Sequence, residues 1–519
     1  MERLNDDQRR TVIPRWRSLK ATPTHELSVK AQPSAAKRNY QHVMDKVVAE
    51  WERLPTAITA TEVADAVSLL GDDPRAHTAI AYLRDQRDKL RPMVTSSLTK
   101  PSKAAALPSS ADLRVQIAQM KSALKDQPRN SIGHVEIALL YAVAGHVRAA
   151  TNHMEIALRA TPNSRYVLRS ASRLFVHDDQ PSRALFYLHK SDAVRKDPWV
   201  MAAEVATADL AGSFPKWGTR ELKTLAHTSH LSIHYSELAS ALGVIEDASG
   251  SHKKARKLIS RSLDQPTENS LAQAAWMSAN AKREYVSLNA PYQETAYEAG
   301  VIQALHVRDF ERADRFAWSW LNDEPFSSAP AIHGSYLNSI FTRSFERALA
   351  FAEHGLLSNP DDEALKNNRT YALIMMGRLD RAKDLLPSLA TSQDKSRRQV
   401  FDLALHGLYH FKCNKFDEAR RLYTTAVQKA SEHHPSLYAG AVSHWLENEV
   451  LAGQATIEEF DRIAAVVDRK LAAAKLDTRA WAATKSFIAS KFKSRNEVRT
   501  VQTTTGQPIR FYVPDVLDR

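Results

Sequence analysis

Seven alanines, Ala150, Ala184, Ala255, Ala313, Ala348, Ala382 and Ala419, recur along this chain at a step mostly near 34 residues. Ala150 to Ala184 and Ala348 to Ala382 are each 34 residues, Ala313 to Ala348 is 35, and the interval from Ala255 to Ala313 breaks the count. A period of this size is the length of one pair of antiparallel helices. A unit so small cannot bury its own apolar face and must stack on its neighbours. Function is then expected to be spread along an array rather than gathered in one pocket.

The remaining composition agrees with that reading. At 519 residues the chain is too long for a single core, and 15 glycines are too few for a turn-rich β protein. Cys413 is the only cysteine, which excludes an intrachain disulfide and any multi-cysteine zinc or iron–sulfur site. The opening MERLNDDQRR lacks the apolar stretch of a secretion signal, and no run of about 18 apolar residues occurs. A cytoplasmic protein without membrane contact is the expectation. The net charge of +12 and pI near 9.5 lean toward anionic partners. Over so long a chain they describe first of all a basic protein.

The chain is expected to divide as follows. Residues 1–36 form a flexible basic arm, with Trp16 set among Arg9, Arg10, Arg15, Arg17 and Lys20. Residues 37–94 read as a helical N-terminal subdomain with helices near 38–53, 60–71 (capped by Thr59 or Thr61) and 75–91. Residues 95–111, TSSLTKPSKAAALPSSA, read as a linker. The array occupies 112–452, and helices near 456–474 and 477–492 cap it within 453–492. A basic tail, 493–519, carries Lys493, Arg495 and Arg499 and a β-like Ile509–Val513.

The clearest unit runs from Ser131 to Ser164, SIGHVEIALLYAVAGHVRAATNHMEIALRATPNS. Ala138 is small where the first helix meets the second, Tyr141 is large three residues on, and Gly145 ends that helix. Ala150, Met154 and Ala157 form the buried face of the second helix, and Pro162 stops it. These positions resemble the tetratricopeptide repeat, and units with Ala184, Ala255, Ala313, Ala348, Ala382 and Ala419 repeat the pattern. The resemblance implies an all-α, right-handed α-solenoid of about eight or nine helix pairs. It further implies that the first helix of each pair lines a concave groove. On that alignment Tyr166, Arg169, Arg173, Val176 and His177 face the groove in one unit, and Ala364, Asn367, Tyr371, Ile374 and Met375 in another. The expected partner-binding residues are therefore Tyr166, Arg169, Arg173, His177, Asn367 and Tyr371. Two arginines one turn apart suit an acidic peptide or a phosphate, and equally suit carboxylates of the chain itself. The family's carboxylate clamp is incomplete here, because His333 and Leu337 stand where lysine and asparagine belong, although Asn368 and Arg369 stand near its central position.

Catalytic signatures are absent: no phosphate-cradling glycine loop, no GxSxG elbow, no HExxH. His406, His410 and Cys413 have metal-ligand spacing on one helical face. They also coincide with packing positions of a repeat, and that role is preferred. The sequence thus points to a non-enzymatic scaffold or adaptor holding a protein or peptide, with no cofactor and no metal. A nucleic-acid-associated factor using basic termini and a basic groove at Arg169 and Arg173 is the second reading, and a hydrolase with an unrecognised site the third.

Overall fold

The computed structural model describes residues 35–70, 73–85, 110–126, 128–195, 197–213, 215, 235–280, 284–289, 296–389, 396–473 and 479–496. The basic arm, most of the linker, the end of the 75–91 helix and nearly all of the C-terminal tail lie outside these residues. Among the described residues every regular element is a helix. The fold is an all-α solenoid of helix pairs. It divides into two compact units, Met1–Pro330 with Leu357–Pro360, and Ala331–Leu356 with Asp361–Arg519.

Local chemistry starts and stops the helices. The Asn130 side chain accepts the Gly133 N–H ahead of helix Ser131–Val143. Asp197, Asp309, Asp362 and Ser396 do the same for their own helices, each offering an oxygen to an orphan N–H of the first turn. Near the N-terminus the helix Ala57–Leu70 begins earlier than the sequence suggested. The hydroxyl of Thr56 faces its first turn and accepts the Thr59 N–H.

The turns within the pairs carry the repeat as clearly as the alanines do. A residue with positive φ follows the first helix at Gly145, Asp179, Gly212, Gly250, Arg308, Arg343, Gly377, Asn414 and Gly453. At eight of these turns, all but that of Arg343, the following N–H reaches back to a carbonyl five residues earlier, as in His146 to Tyr141, Gln180 to Phe175, and Arg378 to Leu373. That is the closure of a Schellman cap, which demands a left-handed residue. Four of the nine positions are not glycine, so the turn is held there against a backbone preference. The turn at Gly453 joins Pro435–Leu451 to Ile457–Ala473 in the same manner, so this second helix completes a pair. Helix Arg479–Asn496 follows it.

All seven periodic alanines are at most 1% exposed. They are accompanied by a second contact repeated down the chain. A Cβ placed on Gly243 would collide with Ile259, on Gly300 with Phe316, on Gly334 with Phe351, and on Gly407 with Tyr423. In each pair a bulky side chain of the second helix fills the notch left by a glycine of the first, 16 or 17 residues earlier. This close approach is what lets the helices of a pair nest.

In the first unit the two helices of a pair differ sharply. Every residue of Ser131–Val143 is buried, whereas Val147–Ala160 buries only one stripe of Ala150, Thr151, Met154, Ala157 and Leu158. The same contrast separates Ser236–Ala248 from His252–Ser262. A helix apolar nearly all round belongs inside, and an amphipathic one belongs on the outer layer. Met44, Val48, Val63 and Leu83 from the N-terminal helices join the same core as Val135, Met154 and Phe175. The second unit has its own core, from Ala348 through Phe411, Tyr423 and Trp445 to Trp481 and Ile488.

Candidate functional site

The inner helices of the first unit carry Tyr166, Arg169, Arg173 and His177 on Arg165–His177. Arg169 is wholly buried. Its Nη2 meets Glu237 at 2.9 Å, its Nη1 donates to the Trp199 carbonyl at 3.1 Å, and its guanidinium lies 4.9 Å from the Trp199 ring centre. Glu237 is 1% exposed and also accepts from the Thr267 hydroxyl. Tyr166 is buried and donates its hydroxyl to Glu136. Beside them Arg165 pairs with Asp197 at 2.6 Å. Of the residues expected to face an open groove, Tyr166 and Arg169 are instead interior, because the helix that carries them is sealed by its neighbours.

Arg173 and His177 lie nearer the end of the same helix. Arg173 Nε reaches Glu324 at 3.3 Å and its Nη2 reaches Ser327, 151 and 154 residues further along the chain. Its guanidinium covers the Phe326 ring, and His177 meets that ring edge-on. Ser358 donates to the carbonyl of Val143 at 2.8 Å. The first unit therefore curls until its later turns close on its earlier inner helices, and its own side chains fill the space between. The carboxylate partners of both arginines come from within the unit.

The second unit differs. On helix Glu363–Met375 the side chains of Asn367, Tyr371 and Met375 are half-exposed at successive steps of four residues, which places them on one face. Asn367 makes no hydrogen bond among the described residues, whereas Asn368 donates to Ser335 at 2.7 Å and is thereby engaged in packing. Tyr371 stacks edge-on with His444, ring centres 5.1 Å apart, and Phe345 lies 6.3 Å away. Around them stands a polar group that sequence reasoning did not find. Arg343 Nη1 meets Glu447 at 2.6 Å, and the Phe487 ring covers its guanidinium at 4.5 Å. Arg343 Nη2, Glu447 Oε2 and the Tyr423 hydroxyl are buried without a hydrogen-bond partner among the described residues.

The electrostatics of this face follow from burial. His444 is pushed down to about 4 by its enclosure and then by Arg343, so it is neutral at physiological pH. Burial lowers Lys412 while Glu447 holds it up in part, and Lys412 has no ion pair among the described residues. Burial first, and the Glu447 charge second, raise the Tyr371 phenol and keep it a donor. The face thus offers the Asn367 amide beside aromatic surface, with the Tyr371 hydroxyl 3.5 Å from His444 Nδ1. Arg343 was hidden from the sequence because it occupies a turn position that glycine holds at five of the nine sites.

Neither His406 nor His410 is uncommitted. His406 Nε2 bonds the Pro387 carbonyl at 2.8 Å, and His410 Nδ1 lies 3.0 Å from Glu418. No helix among the described residues is long and apolar enough to cross a membrane.

No protein-family model and no curated protein matches the chain. The chain is similar to the crystal structure of yeast Tom70 at 13% identity, over 80% of this chain and 97% of that one, with a TM-score of 0.27. Overlap this loose carries no argument, and the helix pairs described above stand on their own geometry.

Proposed function

We propose that this protein is a non-enzymatic scaffold that holds a partner protein on the second unit, through the face that carries Asn367 and Tyr371. One observation supports this most directly. Asn367, Tyr371 and Met375 form a half-exposed row, whereas the corresponding helix of the first unit is filled by Glu136, Glu237 and Trp199. A preformed row of amide, phenol and thioether suits a segment of polar and apolar residues, recognised without large rearrangement. Arg173 and His177 serve in this reading to hold the first unit closed, and Tyr166 and Arg169 to fill it. A cytoplasmic setting is the natural one for a chain whose sole cysteine, Cys413, is free.

The test is affinity capture by the native protein and by an Asn367→Arg/Met375→Glu variant, with the bound proteins compared by mass spectrometry. Both substitutions sit on half-exposed positions, so the fold should survive, as a thermal melt will show. A partner that is enriched by the native protein and lost by the variant is expected. Identical partner sets from the two proteins would refute the assignment of this face.

A further inference from the structure

Helix His252–Ser262, HKKARKLISRS, holds five lysines and arginines and no acidic residue. Ala255, Leu258, Ile259 and Ser262 are buried and fix its inner side. Lys253, Lys254, Arg256 and Lys257 are all exposed, and none of the four makes an ion pair or hydrogen bond among the described residues. The acid closest in sequence before them, Asp247, is already committed to His252 at 2.8 Å and to the Tyr285 hydroxyl at 2.6 Å. Asp264, exposed beyond the helix end, is the next acid after them.

The placement works against the helix itself. Lys253 and Lys254 stand in the first turn, where the macrodipole favours acids and disfavours cations, by about 0.3–1 kcal/mol for each charge. Four like charges within five positions also repel one another at spacings of three and four residues. A local rule broken with no compensating contact among the described residues marks a site shaped by something other than stability.

We propose that this helix is a docking site for the phosphodiester backbone of nucleic acid. Its outward side presents cations and Ser260 with no exposed aromatic or aliphatic side chain. That composition leaves nothing to insert into a bilayer or to stack on a base. Four charges along about 6 Å of helix axis suit a polyanion with closely spaced phosphates. The contact reads charge and not sequence. This site is separate from the face proposed for a protein partner, and either can fail without the other.

The experiment is fluorescence anisotropy of the full-length protein with a labelled 20-nucleotide oligo-U RNA and, in a second arm, a 20-base-pair DNA duplex. The comparison protein carries Lys253→Gln, Lys254→Gln, Arg256→Gln and Lys257→Gln. A charge control carries Lys125→Gln, Arg148→Gln, Lys383→Gln and Lys415→Gln, all at exposed positions. With four phosphate contacts, raising salt from 50 to 200 mM should weaken this helix's share of binding about 50-fold for the single strand and about 150-fold for the duplex. The helix variant should lose most of its affinity and its salt slope, while the charge control keeps both. Whichever arm binds more tightly identifies the nucleic acid. Absence of binding in both arms at 50 mM salt would overturn the proposal, as would equal losses in the helix variant and the control. Preferential binding to phosphatidylserine vesicles or to an acidic polypeptide over both nucleic acids would overturn it as well.

Discussion

Arg169→Met separates a structural from a binding role for the best-placed arginine of the chain. The side chain it replaces is fully buried, and the change leaves Glu237, itself 1% exposed, without its cationic partner. The Trp199 carbonyl loses the Nη1 donor, and the Trp199 ring loses the nearer of its two cations, Arg165 remaining at 5.9 Å. Removing one member of a buried pair costs about 3–5 kcal/mol, chiefly because the remaining charge stays desolvated. Replacing both members, as Arg169→Met with Glu237→Leu, removes that desolvated charge. The double variant should then lie within about 2 kcal/mol of the native protein, since an apolar pair of similar volume often substitutes without loss. Urea unfolding followed by circular dichroism at pH 7.5, carried around the full double-mutant cycle, gives the coupling directly. With two compact units, the step to read is the one in which the first unit unfolds. A single variant that costs under about 1 kcal/mol, or a double variant that costs the sum of the singles, would refute the interior ion pair.

Gly334→Ala and Gly407→Ala should each cost about 1–3 kcal/mol, because the new methyl overlaps the buried rings of Phe351 and Tyr423; unchanged melting curves would contradict the notch-and-ring packing. His153, 2.9 Å from His134 Nδ1, and His444 are both held near 4 by burial. In the unfolded chain they titrate near 6.5, so the unfolded state binds protons first and stability falls as pH drops below that value. By pH 5 the loss is about 2 kcal/mol for each histidine relative to pH 8, and His444→Gln should remove its share. A His444→Gln protein whose urea midpoint falls between pH 8 and pH 5 as far as the native one does would count against the burial of that ring. Arg343→Gly fits the left-handed turn but leaves Glu447 unpaired, so it should destabilise the second unit by about 3 kcal/mol despite relieving the backbone; a stabilised variant would show that the turn conformation outweighs the ion pair.

The alanine period made the helix pairs legible, because close packing of two helices is a local matter settled within about 34 residues. The left-handed turns were legible only where glycine holds them, and Asp179, Arg308, Arg343 and Asn414 passed unseen. Of the expected site residues, Asn367 and Tyr371 are half-exposed on one face, and Arg173 and His177 are engaged with Glu324 and Phe326. Tyr166 and Arg169 are inside. Repeat position told which side of its own helix each residue takes. It did not tell whether that side meets solvent, since that depends on contacts such as Arg173 with Glu324, between residues 151 apart.

The sequence by itself determined the unit of construction: small residues at a recurring interval, glycine or proline where a helix must stop, and an outer helix with one apolar stripe. Only the tertiary structure decided how far the first unit curls, and hence that its inner polar residues pair with one another. The physical reason is that a helix pair is specified by neighbours in the chain, whereas the fate of a buried charge depends on which distant carboxylate the accumulated curvature brings within hydrogen-bonding reach.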